Sequence, residues 1–276
     1  MVAVADDVAN EDALVQAARS GDRFALSTLA ERHQQRIFSF GMKMCGNTDD
    51  AQEVAQETLL TMVRSLRNFR GDASISTWLY TVARSFCIKK RRRTKGAPTR
   101  HESLDRATQE GAAASAPSPE QTLLGHETRD AVTAALDNLE RDAREIVVLR
   151  DMEGLTAPEV ATITGLSVAA VKSRLHRARQ VLRERLLSLV GGGSNQPPAP
   201  NCPDVLTLLS KKLEDEVSPE LCAEMEKHVE GCPHCKGLCD SLKRTLAACK
   251  SSPSPLVPHH IRESLRKTVQ AALERS

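Results

Sequence analysis

Three cysteines and one histidine in the C-terminal third of the chain have the types and spacing of a metal site. They follow the pattern Cys202-x25-His228-x3-Cys232-x2-Cys235. Three thiolates and one imidazole form a tetrahedral ligand set that suits Zn2+. Thiolate-rich sites with four protein ligands are usually closed, and no H-E-x-x-H motif or paired carboxylate set lies nearby to supply a general base. The pattern therefore predicts a bound Zn2+ and does not favour a metallohydrolase.

A helix must carry the histidine toward the two following cysteines. The segment Ser218-Pro219-Glu220 has the composition of a helix start, with proline in the first turn and an acid near the positive end of the helix dipole. We expect this helix to run to Glu230 and to present His228 in its last turn. Gly231 would end it, and the knuckle at 232–235 would turn its two cysteines toward the same point.

More cysteines follow the first ligand than one structural zinc site needs. Cys222, Cys239 and Cys249 are in excess of the four ligands. Surplus ligands suggest a sensing site whose ligand set changes with metal occupancy. Cys239 lies four residues after Cys235 on the same helix face, so it is the best placed to join or replace a ligand. Cys222 is equally well explained as a small core residue.

The totals for the whole chain limit its class. The length of 276 residues allows about two domains, and 38 basic against 36 acidic residues leave no overall electrostatic footprint. Eight cysteines in a reducing compartment do not indicate a disulfide framework, and six of them fall in one segment, between 202 and 249. The N-terminal residues have no basic stretch followed by an apolar run, and no 18 consecutive residues are apolar. We therefore expect a cytoplasmic protein without a membrane span.

The modules that position these residues are predicted to be helical. Apolar residues recur at intervals of three and four, and no alternating strand pattern competes, so an all-α fold is expected. Segments rich in Gly, Pro, Ser or Ala separate the modules. The predicted segments are a helical bundle at 11–93, a flexible linker at 94–120, a helix-turn-helix domain at 121–190, a linker at 191–201, the cysteine-rich domain at 202–250 and an amphipathic helix at 258–276.

The segment APEVATITGLSVAAVKSRLHRARQVLRERL, residues 157–186, has the form of a helix-turn-helix. A short apolar-faced helix is followed by a turn with Gly165 and by a second helix that Ser167 caps. The second helix would bury one stripe and expose a basic face that meets phosphates and base edges. The basic residues of that face are Lys172, His176, Arg179 and Arg183, flanked by Arg174 and Arg177.

A second basic segment, KKRRRTK at 89–95, follows a helix that contains Trp78, Tyr80 and Phe86. Aromatic side chains next to cationic residues suit single-stranded DNA, because unstacked bases lie on the rings while the backbone charge is neutralised. The signal is weak by itself. Two alternatives stay open: Trp78 and Phe86 as core residues, and the basic run as a solubilising helix end.

Two long segments, 49–85 and 149–186, resemble conserved regions two and four of the extracytoplasmic-function (ECF) sigma factors. They occur in the order of that family and are separated by a variable linker. The resemblance implies an all-helical, two-domain initiation factor that recruits bacterial RNA polymerase core enzyme to a promoter. It also implies that the polymerase performs the chemistry and that this chain is not an enzyme.

The resemblance assigns roles to three groups of residues. An acidic helix would dock on the clamp coiled coil of the largest polymerase subunit through Asp50, Glu53, Gln56 and Glu57. The flap of the second polymerase subunit is a further expected partner. Promoter melting and single-strand binding would fall to Phe69, Asp72, Ser74, Trp78, Tyr80, Arg84, Lys89, Lys90, Arg91 and Arg92. Duplex promoter DNA would be read by Ser167, Ala170, Lys172, Ser173, Arg174, His176, Arg177 and Arg179.

The cysteine-rich segment resembles the zinc-binding anti-sigma domain, which masks the polymerase-binding surfaces of a sigma factor. Its fusion to a sigma factor resembles the CorE-like ECF sigma factors, whose C-terminal domain responds to copper, or to zinc and cadmium. Because the tail has no C-x-C pair, zinc or cadmium is favoured over copper as the sensed metal. The hypothesis is that metal binding repacks this domain and changes its intramolecular contacts with the sigma domains. Whether metal activates or inhibits stays open.

Three alternatives remain at this point. In the first, the tail is a thiol redox switch, because exposed cysteines of low pKa oxidise and release metal. In the second, the tail is a purely structural zinc domain. In the third, the chain is a polymerase-independent helix-turn-helix regulator, which leaves the acidic helix and the FRGDASISTWLY segment at 69–80 unexplained.

Overall fold

The structure is a computed structural model that describes residues 2–94, 119–191, 197–198 and 201–275. Helices and connecting turns make up this part of the chain, without a strand, which confirms the all-α prediction. Most of the predicted linkers at 94–120 and 191–201 lies outside the described residues. The helices are α1 Val2–Arg19, α2 Arg23–Cys45, α3 Thr48–Ser65, α4 Ile75–Thr94, α5 Pro119–Asp137, α6 Arg141–Val147, α7 Ala157–Thr164, α8 Val168–Val190, α9 Val205–Lys212, α10 Pro219–Gly231, α11 Pro233–Ser251 and α12 His259–Glu274.

These helices form two compact units. The first unit contains α1 to α4 together with the last helix, α12, and the second contains α5 to α11. The cysteine-rich helices α9 to α11 therefore share a unit with the helix-turn-helix. In the described part of the chain, no helix combines the length and the apolar character that a membrane span requires.

The first unit is built around the antiparallel connection between α2 and α3. Gly46 ends α2 with a left-handed φ of 78°, and the side chain of Asn47 accepts the Asp50 N–H to cap α3. Gly41 lies where the two helices approach each other, because a Cβ there would be 3.0 Å from the Ala51 Cα. The glycine thus allows the helix contact that positions α3.

Helix α12 packs on α2 and α3 through the apolar stripe that its sequence predicts. The extended segment before it is held by one glutamine: the Gln35 amide donates to the Pro255 carbonyl at 2.8 Å and accepts the Val257 N–H at 3.1 Å. Burial of the stripe stabilises the attachment, since apolar area removed from water is worth about 25 cal/mol per Å2. The buried residues of the stripe are Ile261, Leu265, Val269, Ala272 and Leu273.

The helix-turn-helix of the second unit consists of α7 and α8. A reciprocal capping box between Thr156 and Glu159 starts α7, and Gly165 ends it with a φ of 73°. The Ser167 hydroxyl accepts the Ala170 N–H at 3.2 Å and so begins α8. Upstream, α6 continues as a π-helical turn, Val148–Met152. The predicted stripe of α8 is buried: Val171, Leu175, Ala178 and Leu182.

The cysteine-rich helices α9 to α11 have a small core of aliphatic and sulfur-containing side chains. Ser218 caps α10 through the Leu221 N–H, and Pro219 occupies its first turn, as the sequence predicts. Helix α11 begins at Pro233 directly after Cys232. The buried residues of this core are Val205, Leu209, Met225, Cys235, Cys239 and Leu242.

Candidate metal centre and nucleic-acid interface

The structure brings the four predicted metal ligands together. The ligand atoms of Cys202, His228, Cys232 and Cys235 all lie within 4.8 Å of one another. The Cys202 and Cys232 sulfur atoms are 3.7 Å apart, and the His228 Nε2 lies 3.2 Å from the Cys235 sulfur. A tetrahedral zinc with Zn–S bonds of about 2.3 Å places its sulfur ligands about 3.8 Å apart. The donor set and its spacing therefore fit Zn2+.

Each ligand belongs to a different part of the cysteine-rich fold. Cys202 precedes α9, His228 is in the last turn of α10, and Cys232 forms the junction between α10 and α11. Cys235 lies in the first turn of α11 and is fully buried. A metal at this point would join all three helices of the module.

The thiols of the cluster differ in their acidity. Burial, together with the neighbouring Cys202 and Cys232 thiols, raises the pKa of Cys235 to about 12. The main-chain N–H of Cys235 lowers the pKa of Cys232, because it donates to that sulfur. Several thiolates so close together need a compensating positive charge, which a divalent cation provides.

The three surplus cysteines lie outside this cluster. Cys239 is 3 % exposed in the core of α9 to α11, and its burial raises the pKa of its thiol. Cys249 is buried near the end of α11, and Cys222 is half-buried on α10. Within the described residues, the cluster of metal-type ligands contains none of them. Their role as sensing ligands stays a prediction.

The second helix of the helix-turn-helix carries contacts that its sequence did not predict. We call residues Leu213–Glu216, which follow α9, the acidic turn. Lys172 Nζ donates to the main-chain oxygen of Glu214 at 2.8 Å and lies 3.4 Å from the Glu216 carboxylate. His176 Nε2 lies 3.0 Å from the Thr207 hydroxyl on α9. Two residues predicted to read DNA are thus held by the cysteine-rich module.

The acidic turn owes its shape to the way α9 ends. Asp215 has a left-handed φ of 54°, which asparagine and aspartate tolerate better than most residues. The Glu216 N–H donates back to the Lys211 carbonyl at 3.0 Å, so the chain reverses just after the helix. The reversal brings Glu214 and Glu216 to the same side of α8.

Arg179 lies at the centre of a buried ion network. Its guanidinium donates to both Asp151 carboxylate oxygens at 2.6 and 3.0 Å, and to Glu214 Oε1 at 2.8 Å. It also reaches the Ser210 hydroxyl at 3.1 Å. Arg179 is only 2 % exposed, although the sequence analysis placed it on an exposed basic face. That placement is wrong because α9 packs along this side of α8.

Arg183 was placed on the same exposed face, and it is buried as well. It is 8 % exposed, and its Nε donates to the Ser241 hydroxyl of α11 at 2.8 Å. Glu214, which accepts from Arg179 one turn before Arg183, also accepts from Arg150 at 3.1 Å. Two helices of the cysteine-rich module therefore contribute to the burial of the basic strip.

The remaining predicted duplex readers lie away from these contacts. Arg177 and Ser173 are exposed, and Arg174 is 3.2 Å from the Asp142 carboxylate. Ser167 caps α8, and Ala170 follows in its first turn. The N-terminal part of α8 thus keeps a surface on which DNA contacts can form.

In the first unit, the two predicted sites meet at one lysine. Lys90, predicted to bind single-stranded DNA, forms ion pairs with Asp50 at 3.1 Å and with Glu53. Both acids were predicted to bind polymerase. Partial burial is the largest single influence and lowers the pKa of Lys90. The two carboxylates together outweigh it, so the pKa is raised. Gln56 and Glu57, the other two residues of the acidic helix, are half-buried on α3.

The aromatic residues of the predicted melting segment have different surroundings. Phe69 and Trp78 contact each other with ring centroids 5.6 Å apart, and Trp78 is half-buried. Tyr80 is 4 % exposed and packs edge-on against Phe40 at 5.4 Å, so it belongs to the core. Ser74 caps α4 by accepting the Thr77 N–H. Of the other predicted residues, Arg84 is half-buried and Asp72, Lys89, Arg91 and Arg92 are exposed.

Sequence reasoning missed the residues that cover α8. They are Thr207, Ser210, Glu214 and Glu216, together with Asp151 from the π-helical turn. The available signal was the run Leu213-Glu214-Asp215-Glu216, an acidic segment in a module fused to a basic helix that was predicted to read DNA. Complementary charge between the two was visible, but their contact depends on the tertiary fold.

Comparison with known proteins decides the family. Family models match residues 29–96 as Sigma-70 region 2, residues 129–182 as Sigma-70 region 4 and residues 202–236 as a putative zinc-finger. The chain is 30 % identical over 181 residues to the RNA polymerase sigma-H factor of Pseudomonas aeruginosa, across 64 % of this chain and 94 % of that protein. The chain belongs to the ECF sigma factor family. Sigma factors are transcription initiation factors that bind RNA polymerase and promoter DNA, and they are not themselves catalysts.

Other relatives agree with this assignment. The sigma factor is 28 % identical over 184 residues to the ECF RNA polymerase sigma-E factor of Escherichia coli, which covers 65 % of this chain and 96 % of the relative. Among solved structures, it is similar to CnrH in complex with the cytosolic domain of CnrY, with 26 % identity, a TM-score of 0.45 and coverage of 64 % and 96 %. The family models and the sequence relatives confirm the predicted class of protein.

Proposed function

We propose that this ECF sigma factor carries its own inhibitor of promoter binding. The inhibitor is the cysteine-rich module α9 to α11, and a metal bound by Cys202, His228, Cys232 and Cys235 controls it. The observation that carries the proposal is the contact of the module with the DNA-reading helix α8, above all the hydrogen bond from Lys172 to Glu214. The proposal also places the protein in the cytoplasm, where RNA polymerase is found.

The sigma modules keep the roles that their family implies. Acidic residues of α3 dock on the clamp coiled coil of the largest polymerase subunit, and the helix-turn-helix domain meets the flap of the second. The segment from Phe69 into α4 melts the promoter and holds the single strand. The first turns of α8 read the duplex element.

The acidic turn and DNA compete for the same groups. A lysine that binds a phosphate donates its ammonium protons to oxygen, and here the Glu214 carbonyl and the Glu216 carboxylate accept from Lys172 instead. His176 is likewise engaged by Thr207. DNA binding must therefore break these contacts, which lowers the observed affinity by the free energy of the closed arrangement.

The ligand geometry indicates the direction of the metal response. Bound Zn2+ would supply positive charge and a fixed tetrahedral geometry at the junction of the three helices. The four donor atoms are already close together while α9 lies on α8. A ligand that binds one arrangement more tightly shifts the population toward it. Metal loading is therefore expected to keep the module closed, and metal removal to release α8.

Zinc is the proposed resident ion because its bond lengths and its preference for thiolate and imidazole match the cluster. Cadmium and copper are the other candidates for a sensed metal. The thiol redox alternative uses the same cysteines and differs in its trigger. It predicts that hydrogen peroxide, and not added or removed zinc, changes promoter binding.

The test compares variants of the whole chain, one changed at the interface and one changed away from it. Glu214→Gln removes the charge that faces Arg179 and Arg150, while Arg179 keeps Asp151. Glu224→Gln removes a charge from an exposed position on α10 and is the matched control. Each protein is combined with core polymerase and with duplexes selected from a random library, and binding is measured with zinc and with a chelator.

We expect Glu214→Gln with zinc to bind promoter DNA on the order of tenfold more tightly than wild type. The substitution weakens the buried ion network, so moving the module off α8 should cost about 1 to 3 kcal/mol less in the variant than in wild type. The chelator should raise wild-type binding and have little further effect on the variant. The control should behave like wild type. Equal binding by all three proteins, with or without zinc, would refute inhibition in cis; failure of every protein to bind polymerase would refute the sigma-factor role of the chain.

A further inference from the structure

A pair of neighbouring thiols lies in the first unit. Cys45 is the last residue of α2 and Cys87 lies in α4, 42 residues later. Their sulfur atoms are 3.6 Å apart, within hydrogen-bond distance for thiols. The sequence offers no reason to connect them, since each is an isolated cysteine. The fold of α2 against α4 creates the pair.

The two thiols differ in exposure and reactivity. Cys45 is half-buried and reachable from solvent, whereas Cys87 is 1 % exposed. The hydrogen bond with Cys87 lowers the pKa of Cys45; nearby Arg91 and Lys90 act in the same direction, and burial and Asp50 oppose them. A reachable thiol with enhanced thiolate character beside a second, buried thiol is the arrangement of redox-sensitive cysteines.

We infer that Cys45 and Cys87 form a reversible disulfide inside the region 2 unit when the protein meets a hydroperoxide. The Cys45 thiolate attacks the peroxide oxygen, the O–O bond breaks, and the leaving oxygen takes a proton to give water or an alcohol. The resulting sulfenic acid is attacked by the Cys87 thiol, so the S–S bond forms and water leaves. Two electrons pass from the two thiols to one peroxide.

The bond would act on neighbouring residues that the sigma-factor role uses. A disulfide has an S–S length of about 2.05 Å, so the sulfur atoms must approach by more than 1 Å. Cys87 lies three residues before Lys90, and Cys45 lies directly before the turn into α3, which carries Asp50. The Lys90–Asp50 ion pair, 3.1 Å long, joins α4 to the first turn of α3, so a movement of α4 toward Cys45 at the end of α2 would act on it.

This coupling rests on the proposed function, because it assumes that α3 and the end of α4 contact polymerase and DNA. The oxidised protein is expected to bind core polymerase at least threefold more weakly than the reduced protein. The disulfide itself does not depend on that assumption.

The first experiment detects the bond in the full-length, zinc-loaded protein. After treatment with hydrogen peroxide and alkylation of the remaining thiols, trypsin should release residues 44–64 linked to residues 85–89, and dithiothreitol should separate them. Cys87→Ser should give no linked peptide and should leave a sulfenic acid at Cys45 that dimedone traps. Recovery of Cys45 as an alkylated thiol, or its linkage to a cysteine of the tail, would overturn the inference.

The second experiment measures core polymerase binding by reduced and peroxide-treated protein. Cys87→Ser, treated in the same way, is the control for oxidation elsewhere. Weaker binding by oxidised wild type, restored by dithiothreitol and absent in the control, supports the coupling; equal binding overturns it. If reduced protein fails to bind polymerase, the proposed function fails, while the linked peptide still reports on the thiol pair.

Discussion

Lys172 of α8, the second helix of the helix-turn-helix, donates a 2.8 Å hydrogen bond to the main-chain oxygen of Glu214, 42 residues further along the chain. The contact joins a residue predicted to bind DNA to the acidic turn of the cysteine-rich module. If Lys172 binds DNA as proposed, promoter binding and the packing of the module on α8 are mutually dependent. Any contact that stabilises the closed arrangement then lowers the affinity for DNA.

The Lys172–Glu216 ion pair offers a test by charge reversal. Glu216→Lys replaces the carboxylate that lies 3.4 Å from Lys172 with a cation and should weaken the closed arrangement by about 1 kcal/mol, since partly exposed pairs are worth no more. We expect duplex DNA affinity to rise about fivefold in fluorescence anisotropy. Glu224→Lys, which makes the same charge change at an exposed position in the middle of α10, is the control. An equal gain in both variants would show that added positive charge alone explains the effect.

Arg179 and Arg177 should separate stability from DNA binding. Arg179→Gln leaves the buried Asp151 and Glu214 carboxylates without their shared cation, so the free energy of unfolding should fall by about 3 to 5 kcal/mol. Arg177→Gln, at an exposed position, should stay within about 0.5 kcal/mol of wild type. Urea unfolding followed by circular dichroism measures both. DNA affinity should fall in Arg177→Gln, whose fold is intact, because a phosphate or base contact is removed. A stable Arg179→Gln would contradict the buried network.

The metal cluster predicts a difference between two cysteines of the tail. Cys202→Ser removes a ligand and should reduce bound zinc to well below one equivalent, with a loss of helicity. Cys222→Ser should keep zinc near one equivalent, because Cys222 lies outside the cluster. Elemental analysis of anaerobically purified protein, together with circular dichroism, measures both quantities. Loss of zinc in both variants, or in neither, would contradict the four-ligand assignment.

The docking of α12 can be measured with two leucine substitutions. Leu265 is 1 % exposed, and Leu265→Ala should destabilise the first unit by about 2 to 4 kcal/mol through lost burial and a cavity. Leu256 is 58 % exposed, and Leu256→Ala should change stability by less than about 0.5 kcal/mol. Thermal unfolding of the full chain measures the difference. If the two substitutions cost the same, α12 does not pack on α2 and α3 in solution.

Local sequence determined much of this protein. Helix periodicity, the Gly165 turn and the Ser167 cap specify the helix-turn-helix, because backbone conformation and capping depend on neighbouring residues. The spacing of His228, Cys232 and Cys235 specifies most of the metal site for the same reason, since one helix end and one knuckle position all three. Family resemblance in the same segments indicated the class of protein before any contact was known.

Tertiary structure alone decided which surfaces are covered. Periodicity placed Arg179 opposite the apolar stripe of α8, but it carried no information on the second layer of helices that packs there. The pairing of Cys45 with Cys87 and the attachment of α12 to the first unit depend in the same way on contacts distant in sequence. Such contacts follow from the summed packing of whole faces, which no short stretch of residues encodes.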